Sequence, residues 1–136
     1  MYNGGISIIF DWRNYLVLAQ ELGENTNEAK QRSSISRAYY AAFCSARNYM
    51  KKKDPNSHPN EGSEHQYLID YYMGYKNHST NRNRTKIAQE LIRMKRMRII
   101  ADYEDVFRAE QPLPVTAKDV LIRSDRVVSL IETGGF

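Results

Sequence analysis

The stretch Ser33–Tyr49, SSISRAYYAAFCSARNY, most constrains what this chain can fold into. Ile35, Tyr39, Ala42, Ala46 and Tyr49 recur at three- and four-residue intervals, so a helix carries them as one apolar stripe. The reverse side holds Ala41 and Cys44, small enough for a second helix to approach closely. A helix that is apolar or small on nearly every side belongs in the middle of a bundle. Arg37 interrupts the segment beside the paired Tyr39 and Tyr40. Two readings stand for it: it marks where the helix meets solvent, or it is held at a polar site between helices.

Four further helices are expected around this one. Helix one starts within Ser7–Asp11 and runs to about Leu22, with Trp12, Tyr15, Leu16, Ala19 and Leu22 on its inner face and Gly23 as a stop. Asn25 or Thr26 caps helix two, about Asn27–Met50. Lys53–Gly62 is a proline- and glycine-marked loop. Ser63 and Gln66 form a capping-box pattern opening helix three, which carries Tyr67, Leu68, Tyr71, Tyr72 and Tyr75. After the polar connection Asn77–Asn83, with Thr80 or Asn81 as cap, helix four runs from about Arg84 to Val106. Ile87, Leu91, Met94 and Ala101 form its inner line, supported by Ala88, Ile92, Met97 and Ile99. Arg98 lies on that line too, four residues past Met94, and Asp102 one turn on is its natural partner. Glu110–Val115 breaks the chain, and Thr116 with Asp119 caps a fifth helix carrying Val120, Leu121, Ser124, Val127, Val128 and Ile131. No strand is expected. The fold class is all-α: one domain over residues 1–136, an antiparallel up-and-down bundle of four main helices plus a shorter fifth.

Composition narrows the function classes. Charged residues make up 26% and hydrophobic ones 41% of 136 residues, an ordinary globular balance. No run approaches the roughly 18 apolar residues of a membrane span, and the N-terminus makes a poor signal peptide, so a cytoplasmic protein without a membrane partner is expected. The single cysteine, Cys44, excludes an internal disulfide and reads as a small core residue. The net charge of +4 permits a nucleic-acid or nucleotide partner. Basic residues cluster at Lys51–Lys53 and from Arg82 to Arg98, a pattern that solvated helix faces also produce. His58, His65 and His78 have no second histidine at metal-ligand spacing, so no metal and no cofactor are expected. His65 falls in the first turn of helix three, where the helix dipole lowers its pKa and favours a neutral imidazole; the plainer reading has it facing water.

Phe10-Asp11-Trp12 with Tyr15-Leu16 and Ala19, then Ser36-Arg37-Ala38-Tyr39-Tyr40-Ala41-Ala42-Phe43, then Ala101-Asp102-Tyr103 after an arginine-rich helix, together resemble the HEPN (higher eukaryotes and prokaryotes nucleotide-binding) domain family, in its small stand-alone prokaryotic branch. The resemblance covers nearly the whole chain. It implies a helical bundle, a homodimer, and a minimal nucleotidyltransferase partner within a toxin–antitoxin or other defence system. Many members of the wider family are metal-independent ribonucleases that use an arginine followed four to six residues later by a histidine. This sequence departs from that pattern: Arg96 and Arg98 are followed by Ala101, Asp102 and Tyr103, with no histidine. An aspartate beside an arginine stays ionised and is a poor proton shuttle near neutral pH.

The expectation is therefore a nucleotide- or RNA-binding and interaction module with Arg37, Tyr40, His65, Arg98, Asp102 and Tyr103 at the site. Arginine suits this role because its planar fork holds phosphate bidentately. One alternative is a metal-independent ribonuclease using Arg98, His65 and Tyr103. Another is a dimeric scaffold whose arginines only bridge helices.

Overall fold

In the computed structural model, residues 2–3, 6–7, 9–57, 63–75, 78–134 and 136 are described, the first four as backbone only. Among them are five helices: α1 (Arg13–Gly23), α2 (Glu28–Lys53), α3 (Glu64–Met73), α4 (Arg82–Tyr103) and α5 (Leu113–Thr133). The protein is an all-α bundle. None of its helices is long and apolar enough to cross a membrane among the described residues. A two-residue antiparallel ladder, β1 (Tyr2–Asn3) with β2 (Ile6–Ser7), precedes them, where no strand was expected.

Helix α2 touches every other helix. Its small residues let the neighbours come close, and buried hydroxyls fix their registers. Ser34 donates to the Ala19 carbonyl of α1 at 2.6 Å, Ser124 of α5 donates to the Ala38 carbonyl at 2.6 Å, and Tyr72 of α3 donates to the Ala46 carbonyl at 2.8 Å. A helix carbonyl has a second lone pair free for such a bond, so each hydroxyl is satisfied without breaking the helix ladder.

These pairings also give directions. Ala19 with Ser34 and Trp12 with Arg47 make α1 antiparallel to α2. Ala101 with Arg32 and Arg98 with Tyr39 make α4 antiparallel to it as well. By contrast, Tyr39 with His65 and Ala46 with Tyr72 make α3 parallel to α2. Strict up-and-down alternation therefore fails at one connection. Residues 54–63 separate the two helices in the sequence.

Helix boundaries differ from expectation where several caps compete. Asn27, not Asn25 or Thr26, caps α2 by accepting from the Lys30 N–H at 3.1 Å, while Asn25 in turn accepts from the Asn27 N–H. Ser63 caps α3, but Gln66 bonds Asp70 at 2.9 Å instead of completing the box. Asn81 caps α4. Helix α5 starts ahead of Thr116, because Pro112 and Pro114 suit a helix start where N–H groups have no intrahelical partner. Thr116 bonds the Gln111 carbonyl and Asp119 bonds Arg123, so neither caps it. At 21 residues α5 is not a short fifth helix; α1 and α3, with 11 and 10, are the short ones. On α4, Ile92 and Ile99 face outward rather than supporting the core.

Much of the basic run on α4 is structural. Arg123 of α5 bridges Glu90 at 2.9 Å and Asp119 at 2.8 Å, while Lys86 and Arg93 lie further off the same carboxylates. The C-terminal end of α4 is held by Arg32, whose guanidinium donates to the carbonyls of Ala101 at 3.2 Å, Glu104 at 2.6 Å and Asp105 at 3.4 Å. A planar fork reaches several carbonyls at once, and an ammonium does not. Arg32→Lys is accordingly expected to lower stability by about 1 kcal/mol in urea unfolding, despite keeping the charge.

Candidate phosphate site between α2, α3 and α4

The helical phase of α4 turns Arg98 inward, and it is only 8% exposed. Its guanidinium lies over two rings of α2, 5.5 Å from the Tyr39 centroid and 5.4 Å from that of Tyr40. Its ion-pair partner is Asp102, with Nη1 and Oδ2 3.6 Å apart, too long for a hydrogen bond. Asp102 instead accepts from the Ser36 hydroxyl at 3.2 Å. The buried Arg98 Nε has no hydrogen-bond partner among the described residues. The cation is thus desolvated and stacked on aromatic faces, but incompletely satisfied.

His65 enters from the first turn of α3, directly after the Ser63 cap. Its ring stacks on Phe43 at 4.2 Å and lies beside Tyr39 and Tyr40. Nδ1 is 2.6 Å from the Tyr39 hydroxyl. Tyr39 is fully buried, and burial raises its pKa far from neutrality, so the hydroxyl keeps its proton. If that hydroxyl donates to Nδ1, both groups are satisfied; in the reverse arrangement the tyrosine proton has no acceptor among the described residues. The neutral imidazole therefore carries its hydrogen on Nε2. Burial lowers the His65 pKa, and the Arg98 and Lys95 charges lower it further, against a smaller opposing effect of Glu64. His65 accordingly acts as a neutral hydrogen-bond donor.

A pH dependence follows. Above the ordinary histidine value of 6.5, folded and unfolded chains are both neutral at this position. Below it the unfolded chain takes up the proton first, so stability falls with decreasing pH until the lowered folded pKa is passed, then levels off. Thermal melts from about pH 7.5 to about pH 5 should show this slope for the native protein and a weaker one for His65→Gln.

The structure brings together four of the six expected residues: Tyr40, His65, Arg98 and Asp102. Two lie elsewhere. Arg37 is exposed and stacks on Tyr15 of α1 at 5.0 Å, because two residues along a helix turn it to nearly the opposite side from Tyr39. Tyr103, in the last turn of α4, is 73% exposed. The sequence reading missed Tyr39, Phe43 and Ser36 as site members. Tyr39 was legible only as part of the apolar stripe, and its hydroxyl's partner lies 26 residues away. His58 lies outside the described residues, and His78 packs against Tyr71 at 4.8 Å, away from the site.

Compared with known proteins, the chain finds no match: no family model, curated protein or solved structure aligns with it.

Proposed function

We propose that this protein is an HEPN-like nucleotide- or RNA-binding module whose phosphate contact is Arg98. One observation carries this reading: a guanidinium 8% exposed, with a carboxylate only at 3.6 Å and a buried Nε without a partner. Arg93 shares a long carboxylate distance, 3.7 Å to Asp119, and an unpartnered Nε, but its side chain is 39% exposed and can reach water, whereas that of Arg98 is 10% exposed. A phosphate oxygen supplies the charge-assisted bonds that Arg98 lacks. His65 Nε2–H adds a neutral donor, and the Tyr40 ring a stacking face. In this reading the module forms a homodimer and pairs with a minimal nucleotidyltransferase in a toxin–antitoxin or defence system, as the sequence resemblance implies.

Calorimetric titration with AMP and with short RNAs, in EDTA, tests it. Binding to the native chain that is lost in Arg98→Gln is the expected result; no heat with either ligand ends the proposal. The same incubations address a ribonuclease reading, favoured by the placement of His65 and Arg98 against the same two tyrosine rings. There the 2′-hydroxyl loses its proton to water and attacks phosphorus, and the 5′-oxygen departs and takes a proton from water. Arg98 balances the phosphorane charge, and His65 Nε2–H only hydrogen-bonds the departing oxygen. Cleavage that disappears in His65→Ala supports this second reading, and intact RNA supports binding alone.

A further inference from the structure

The α2 face left open by its neighbours extends well beyond Arg98. Arg37, Tyr40, Arg47 and Lys51 lie on one line along the helix, with the buried Cys44 beneath them at the step between Tyr40 and Arg47. α1 flanks this line on one side and α3 with α4 on the other. On the α1 side each arginine has an aromatic partner: Arg37 lies over Tyr15 at 5.0 Å, and Arg47 over Trp12 at 5.7 Å. Trp12 and Tyr15 are themselves in edge contact at 5.0 Å, with the half-exposed Phe10 against both. On the other side stand Tyr40, Arg98 and His65. The face therefore alternates cations and rings along its length. Acidic groups stand on both sides: Asp11 beside Phe10 and Trp12, and Glu64 and Asp102 on the α3 and α4 side.

We infer that this face is a track for single-stranded RNA, with the phosphate at Arg98 as one anchor and bases stacking along Trp12 and Tyr15. The inference rests on the phosphate-binding reading of Arg98. Its own support is the spacing of charge and rings. From Arg37 to Lys51 is about 21 Å at the helical rise, the length of roughly six nucleotides at a stacked 3.4 Å spacing and of fewer when extended. Single-strand sites combine a basic path with aromatic platforms, because every unpaired base offers a face to stack on. A duplex hides those faces, and a mononucleotide reaches only one end of the track.

Trp12 is the only tryptophan in the chain, so its fluorescence reports on the far side of this face directly. Titrating the full chain with a ten-nucleotide RNA should quench Trp12, whereas AMP at saturation should leave it unchanged. The RNA should bind about 100-fold more tightly than AMP and outcompete a duplex of the same sequence. Arg47→Ala should weaken RNA binding roughly tenfold and reduce the salt slope by about one, without altering AMP affinity. Silent Trp12 fluorescence, RNA no tighter than AMP, an equally tight duplex, or an unchanged salt slope in Arg47→Ala each overturn the track. Should AMP binding still vanish in Arg98→Gln, the phosphate site stands without it. Should RNA quench Trp12 while Arg98→Gln changes nothing, the track stands and the Arg98 reading falls.

Discussion

Arg98→Met is expected to weaken nucleotide binding by one to two orders of magnitude while leaving the protein as stable as before, or more so. The two halves of this result have separate causes. Bringing a cation into a site only 8% exposed costs desolvation that one carboxylate at 3.6 Å offsets poorly. An apolar side chain of similar length removes that cost, and a thioether still packs well on the Tyr39 and Tyr40 rings. Asp102, left without its partner, keeps the Ser36 hydroxyl and partial access to water, with 28% of its side chain exposed. The melting temperature should therefore hold or rise. Affinity should fall by roughly 10- to 150-fold, the worth of about 1.5–3 kcal/mol for charge-assisted bonds to phosphate. Paired melts and AMP titrations read both quantities. A melting temperature that drops sharply, with no nucleotide binding in either protein, would assign Arg98 to the scaffold alone.

The largest stability effect is expected from Leu91→Ala. Leu91 is 0% exposed on the inner line of α4 and belongs to the main core cluster. Truncation there should cost about 3 kcal/mol, from lost burial and from the cavity left behind. For a chain of this size that lowers the melting temperature by on the order of 10 °C. Ile92, the next residue, is 45% exposed, and Ile92→Ala should cost less than about 1 kcal/mol. Urea unfolding of the two variants checks the phase of α4, and with it the inward position of Arg98 seven residues beyond Leu91. Equal losses would mean that the helix is rotated from the arrangement described.

That phase was readable from the sequence because α4 keeps one line of Ile87, Leu91, Met94 and Ala101, all buried, and Arg98 falls within it. The same reasoning failed at Arg37. Periodicity places residues relative to one another on a helix, but α2 has neighbours on most sides, and only the tertiary arrangement decides which face stays open. The partner of His65 was hidden for a related reason. The Tyr39–His65 bond depends on α3 running parallel to α2, which no local pattern encodes. At α5, Thr116 and Asp119 matched a capping pattern, yet the two prolines ahead of them accept a helix start that needs no side-chain cap. Ile92 and Ile99 carry the right chemistry for a core and the wrong angle.

Because α2 adjoins each of the other helices, the bundle has no subset that could remain folded without it. Loss of α3 leaves α2 packed against α1, α4 and α5, whereas removal of α2 leaves only contacts around an emptied axis. Partial opening is thus confined to peripheral helices, and α3 is the most detachable, since its main packing is against α4. His65 rides on that helix, so the imidazole can leave the guanidinium without global unfolding, and the site can loosen while the axis of the molecule stays intact.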